Sequence, residues 1–268
     1  MRATAITITS GKGGVGKTTA TANLGMALAL QGKRVVTVDA DIGLRNLDVV
    51  LGLENRIVYD LVDAVEGYCR VRQALIRDKR VSTLFLLPAA QTRDKSAVNP
   101  DQMVALVNEL REGYDFILID SPAGIEQGFR NSIAPADRVL IVTTPELSAV
   151  RDADRVVGLV EAQEKGPASL IINRLDPRMV RRAQMLSTAD VVEFLALHLI
   201  GIVPEDPSII VSTNQGQPVV LDGRSASGEA FRNIAARLLG HDVPFLPIRE
   251  SGGLVDRLAR FVGLSPTP

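Results

Sequence analysis

Residues 11–18 read Gly-Lys-Gly-Gly-Val-Gly-Lys-Thr and satisfy the pattern G-x-x-x-x-G-K-[ST]. The chemistry such a run can do is phosphate binding. Gly11, Gly13, Gly14 and Gly16 let successive backbone N–H groups curl around phosphate oxygens without a Cβ in the way. Lys17 is placed to reach the β- and γ-phosphates of a nucleotide, and the Thr18 hydroxyl is a ligand for Mg²⁺. Val15 and Thr19 belong to the same cradle. Lys12 is a second lysine inside the loop, which a solvated surface charge would also explain. Two further segments carry carboxylates: Asp39 and Asp41 follow the apolar run 35–38, and Asp120 follows 116–119. One such Asp is ordinarily a helix cap or turn residue. Three of them at strand ends, beside a phosphate loop, are more than caps and turns explain. Asn173-Arg174 and Pro204-Glu205-Asp206 also end apolar runs, where ordinary loop polarity is the competing explanation.

These residues need a scaffold that brings strand ends together. Strand-like runs at 3–9, 34–39, 84–87, 116–120, 138–143, 169–173 and 199–203 alternate with helical patterns at 17–31, 100–111, 147–163, 187–197 and 225–239. Strand–helix alternation implies right-handed crossovers and an α/β fold, a mainly parallel twisted sheet with helices on both faces. Ligands of such sheets bind at the carboxyl ends of the strands, where the loop and all three aspartates fall. No Pro-, Gly- or Ser-rich linker and no repeat interrupts the first 240 residues, so 1–242 reads as one domain. Residues 243–253, with Pro244, Pro247 and Gly252-Gly253, read as a linker. Residues 254–264 read as an amphipathic helix and 265–268 as a frayed end.

Composition sets limits. The 268 residues are 46% hydrophobic with no Trp and 4% aromatics, so the core must be aliphatic, as a covered parallel sheet requires. The net charge of -1 gives no bulk electrostatic case for nucleic-acid binding. The single Cys69 allows no internal disulfide and suits a reducing compartment. The N-terminal apolar stretch alternates with Thr and runs into the Gly-rich turn, so it reads as a strand and not a signal peptide. No run of 18 apolar residues offers a membrane span.

The loop, with its first lysine at Lys12, resembles that of the deviant Walker A P-loop ATPases. The runs 42–48 (Ile-Gly-Leu-Arg-Asn-Leu-Asp), 91–95 (Gln-Thr-Arg-Asp-Lys), 120–126 (Asp-Ser-Pro-Ala-Gly-Ile-Glu), 145–146 (Pro-Glu), 150–155 (Val-Arg-Asp-Ala-Asp-Arg) and 214–216 (Asn-Gln-Gly) are similar to the MinD family of division-site-selection ATPases within that group. The tail is less lysine-rich than many tails of that family.

The resemblance implies hydrolysis of ATP to ADP with Mg²⁺ by an ATP-bound homodimer in which Lys12 crosses to the partner's nucleotide. Asp41 would position the attacking water, Asp120 would hold Mg²⁺ through its water shell, and Asp39 would support the metal site. Gly124 would offer a backbone N–H near the γ-phosphate. Glu146, Asn173, Arg174, Pro204, Glu205 and Asp206 would complete the nucleotide pocket. MinC-like and MinE-like partners would dock near 147–155, at Arg151, Asp152 and Asp154, although that charged run alone reads as a solvated helix face. A ParA-type DNA-segregation ATPase and a flagellar-number regulator are the alternatives. The first needs a basic surface, and the second often carries an extension ahead of the loop. A nitrogenase-type electron carrier needs two cysteines per chain.

The tail carries its own argument. At about 100° per residue, Leu254, Val255, Leu258, Phe261 and Val262 fall within roughly 120° of one another. Docking on the domain and burial in a membrane use the same stripe; the resemblance favours the membrane. Burying five such side chains gains roughly 7–12 kcal/mol. Ordering some ten residues costs a comparable amount, at ~1–2 kcal/mol each. One tail should hold weakly and two on a dimer firmly. The expected location is cytoplasmic, and peripheral on the inner face of the cell membrane, on anionic lipid, when ATP is bound.

Overall fold

The computed structural model describes residues 2–247. The five membrane-facing residues assigned above, 254–262, lie outside the described residues, as do 248–253 and 263–268. In chain order the elements are β1 (Thr4–Thr9), α1 (Lys17–Leu30), β2 (Val35–Asp39), α2 (Leu47–Leu51), α3 (Leu61–Val65), α4 (Val71–Ala74), β3 (Ile76–Arg77) and β4 (Leu84–Leu87). They continue with α5 (Pro100–Leu110), β5 (Phe116–Asp120), α6 (Gln127–Ile133), β6 (Arg138–Thr143), α7 (Leu147–Ala162) and β7 (Ala168–Leu175). The last are α8 (Pro177–Arg181), α9 (Thr188–Leu195), β8 (His198–Pro204), α10 (Ser208–Asn214) and α11 (Ala226–Leu238).

The eight strands form one sheet in the order β3-β4-β2-β5-β1-β6-β7-β8. Every pairing is parallel except that of the two-residue β3 with β4. Strand residues alternate between two apolar layers, as a period of two requires. Ile6, Ile8, Leu118 and Leu140 pack with α1, α2 and α11 on one face. On the other face Ala5, Val38, Ile117 and Ile119 meet the layer of α3, α4 and α5. Val139, Ile141, Leu170 and Ile172 meet α6, α7 and α9 on that same side. The core is aliphatic, as composition implied; Phe129 and Phe231 are its large buried aromatics.

Every strand expected from the sequence is present, and the long helices agree to within a residue or two at each end. The short helices α2, α3, α4, α6, α8 and α10 were not anticipated, being too brief to show a helical period. Their ends are held by caps and neighbours instead. Asp60 and Asp63 form a capping box on α3. Asp39, at the end of β2, accepts from the Asn46 and Leu47 amides at the start of α2. Among the described residues no helix is long and apolar enough to cross a membrane.

Candidate functional site

Parallel pairing puts β1, β2 and β5 in register, so that Asp39 lies level with Asp120, and Asp120 level with Ile8. The loop after β1 therefore opens beside Asp120, with Asp39 one strand further out on the same side. Gly16 caps α1 with φ 99°, a conformation only glycine adopts freely, and no side chain caps the helix. There is no acidic residue in the first turn. The amides and dipole of this end face the loop unopposed, the arrangement that binds anions. Gly11 is held by tertiary contact: a Cβ there would lie 2.0 Å from the Asp152 carbonyl oxygen in α7.

Lys17 is buried, and desolvation lowers its pKa against the opposing pull of Asp120 and Asp41. The Thr18 side chain hydrogen-bonds Asp120. The Thr21 hydroxyl sits 3.2 Å from Asp120 Oδ1 and 3.0 Å from the Lys17 carbonyl. Thr21 was not singled out from the sequence, although its position one turn beyond Lys17 is the available signal. Burial raises the pKa of Asp120 to about 6. Burial, then the charge of Asp120, raises that of Asp39 to about 8. Asp39 Oδ1 accepts from the Asp41 amide at 3.0 Å, and Oδ2 accepts from Asn46 and Leu47 at 3.1 Å. Its carboxylate thus shapes the loop that carries Asp41, in addition to any part it takes beside a metal.

The donor set fits Mg²⁺ bound with phosphate. Asp120 and Asp41 act on Lys17, Asp39 acts on both of them, and the mutual repulsion of the three calls for a cation. Among the described residues no group of three or more His, Cys, Asp or Glu could hold a metal alone. Mg²⁺ characteristically takes one or two protein ligands and fills its shell with water and phosphate oxygens.

At the far side of the loop, Asn173 Nδ2 donates to the Val15 carbonyl at 2.8 Å. Its Oδ1 is buried without a hydrogen-bond partner among the described residues. An adenine amino group is the kind of donor it lacks. Arg174, at φ 58°, lies 4.0 Å from Glu205. Pro204 ends β8 beside it. The Asp206 carboxylate is fully engaged: Ser208 N, Ser225 Oγ and Ser227 Oγ donate to it at 2.8–2.9 Å, which drives its pKa well below the usual range. The gathering of 173–174 with 204–206 is as expected, but the Asp206 side chain is spent on tying α10 to α11.

Two residues behave in ways the sequence did not disclose. Lys12 leaves its own loop; its Nζ lies 3.3 Å from Glu146 Oε2 and 3.2 Å from Ser148 Oγ at the start of α7. Gly124, at φ 89°, donates its amide to the Ser10 carbonyl at 3.3 Å, so the loop after Asp120 rests on the end of β1. On α7, Arg151 and Asp154 are exposed, and Asp152 pairs with Arg155 at 3.7 Å.

Residues 6–219 match the CobQ/CobB/MinD/ParA nucleotide binding domain. The chain is 57% identical over 257 residues to the septum site-determining protein MinD of a Synechocystis strain, covering 95% of this chain and 97% of that one. A solved MinC:MinD cell division protein complex from Aquifex aeolicus superposes with TM-score 0.85 at 50% identity, over 90% of this chain and 98% of that one. The Pyrococcus horikoshii septum site-determining protein MinD complexed with Mg-ADP superposes with TM-score 0.80 at 30% identity, over 88% of this chain and 96% of that one. A phosphate cradle, a Mg²⁺-compatible acid cluster and identity above one half along almost the whole chain lead to one conclusion: this protein belongs to the MinD family of septum site-determining ATPases.

Proposed function

We propose that this ATPase is a membrane switch worked by ATP-dependent dimerisation, and that it brings a MinC-like division inhibitor to the membrane. The observation that carries the reading is Lys12. A loop lysine with a task on its own nucleotide would lie in the cradle, whereas this one points to the rim with its side chain 42% exposed. Exposed Leu44, Ile125 and Leu147 follow β2, β5 and β6 on the same rim, apolar surface that a second copy would cover. In the dimer Lys12 would exchange Glu146 for the partner's γ-phosphate and offset charge on the transferring phosphoryl group. Lys17 would hold the β- and γ-phosphates, and Asp41 would orient the attacking water. Mg²⁺, when bound, supplies charge at the phosphate oxygens, and Thr18 and Asp120 are the residues placed to hold it, with Asp39 behind them. Asn173, Arg174 and the 204–206 turn would take the adenine.

Residues 254–262 would then seat the dimer on anionic lipid through two weak tails, and hydrolysis would release it. Light scattering and vesicle co-sedimentation test the switch together. The Asp41→Ala variant in Mg-ATP should be a dimer at micromolar concentration and should pellet with anionic vesicles. Lys12→Ala should fold normally yet stay monomeric. Phe261→Glu should dimerise yet remain in the supernatant. A monomer in saturating Mg-ATP removes the dimer model. Pelleting indifferent to both nucleotide and Phe261 removes the membrane model.

The MinC-like and MinE-like partners would share the outer face of α7. Arg151 and Asp154 are exposed there, while the inner backbone of the same helix touches Gly11. Reversing charge at Asp152 and Asp154 should abolish partner stimulation of turnover and spare the basal rate. Unchanged stimulation moves the docking site elsewhere.

A further inference from the structure

The chain does not leave the domain at the end of α11. It turns at Gly240, φ 88°, where the Gly240 and His241 amides donate to the carbonyls of Arg237 and Ala236. The segment 243–247 then returns along β8, the edge strand of the sheet. Arg237 organises that return. Its Nε donates to the Val243 carbonyl at 2.9 Å, its Nη2 to Pro244 at 2.8 Å, and its Nη1 to Ile200, in β8, at 2.9 Å. The guanidinium carbon lies 4.2 Å from the centroid of the Phe245 ring. Leu246 packs, half-buried, against the layer of Ile200, Phe231, Ile234 and Leu238. Burial lowers the Arg237 pKa, with Asp242 opposing.

We propose that Arg237 is a positioning residue for the tail: it clamps residues 243–247 to the domain and sets the point from which the membrane-binding segment starts. The inference rests on the membrane reading above and adds to it what makes two tails act together. One planar cation is the right device, because its rigid fork reaches three carbonyls while its face stacks on a ring; a lysine has neither capacity. With the clamp made, about six residues, 248–253, separate the root from Leu254. Without it the root moves back to about 241, and the separation grows to about thirteen residues. Effective concentration falls with roughly the −3/2 power of linker length. Release should therefore weaken engagement of the second tail about threefold, and leave a single tail's affinity unchanged.

The test uses the full chain with Arg237→Lys, and with Phe245→Ala as a second variant that leaves the arginine in place. Chymotryptic cleavage after Phe245, read by the mass of the released C-terminal fragment, reports on the clamp in wild type and Arg237→Lys. Partition onto anionic vesicles in ATP and in ADP reports on avidity. Basal turnover and dimerisation should match wild type in both variants. Arg237→Lys should be cut several-fold faster and bind vesicles about threefold more weakly in ATP; Phe245→Ala, which keeps the three hydrogen bonds, should weaken binding in ATP by less, and neither should change it in ADP. Cleavage at the wild-type rate overturns the clamp. Faster cleavage with wild-type vesicle binding in ATP overturns its effect on avidity. Wild-type pelleting that ignores Phe261→Glu overturns the membrane reading and the avidity claim with it, while the cleavage rate judges the clamp separately.

Discussion

Lys17→Ala and Asp41→Ala should both stop ATP turnover, by about two to three orders of magnitude, yet only Lys17→Ala should lose nucleotide. The reason is electrostatic. Lys17 is the cation set against Asp120 and Asp41 within the cradle. Removing it leaves buried carboxylates facing an incoming polyanion, so repulsion replaces attraction at the phosphates. Asp41→Ala subtracts one negative charge and keeps Lys17, Thr18 and the loop amides. Its affinity for Mg-ATP should be equal or higher while the water loses its orienting group. Calorimetric titration with a non-hydrolysable ATP analogue, set beside phosphate release, separates the two. Equal loss of affinity in both variants would sink the assignment of Asp41 to the water.

Gly11→Ala should be as damaging, for a wholly steric reason. The added methyl would sit 2.0 Å from the Asp152 carbonyl oxygen, 2.1 Å from its carbon and 2.7 Å from the Ala153 nitrogen. All three are backbone atoms in the middle of α7, so no side chain can swing aside. Either the loop lifts off or the helix shifts. Overpacking of this kind costs about 1–3 kcal/mol where side chains can adjust, and backbone against backbone belongs at the upper end. The melting midpoint should fall, and Mg-ADP should restore little of it because the cradle is distorted. Gly13→Ala is the control: its nearest neighbour is the Ala123 Cβ at 4.0 Å, so it should melt like wild type without nucleotide. Thermal melting of both variants, with and without Mg-ADP, decides the matter. Wild-type melting and affinity in Gly11→Ala would show that the contact yields.

The same contact bears on regulation. The helix proposed to receive a partner touches the phosphate loop through Gly11 and holds Lys12 through Glu146 and Ser148. A partner that moved α7 by a few tenths of an ångström would be felt at the loop without any intermediary.

Local chemistry determined much of this protein from its sequence. The phosphate loop is contiguous, and its glycines, lysine and threonine are needed at fixed spacing by the backbone geometry of the cradle. The strands announce themselves because a covered parallel sheet demands runs rich in aliphatic side chains. The carboxylates at 39, 41 and 120 follow from those strands, since parallel pairing leaves their carboxyl ends on one edge. What the sequence could not decide is where groups without a local partner find one. Asp39 spends its oxygens on amides of the loop and of α2; Asn173 bonds to Val15; Asp206 gathers serines from α10 and α11. Lys12 turns to α7, and Arg237 folds the chain end back onto β8. Each is a hydrogen bond that no local pattern announces, and its worth depends on burial and exact distance. Neither quantity exists until the sheet has twisted and its two helical layers have closed over it.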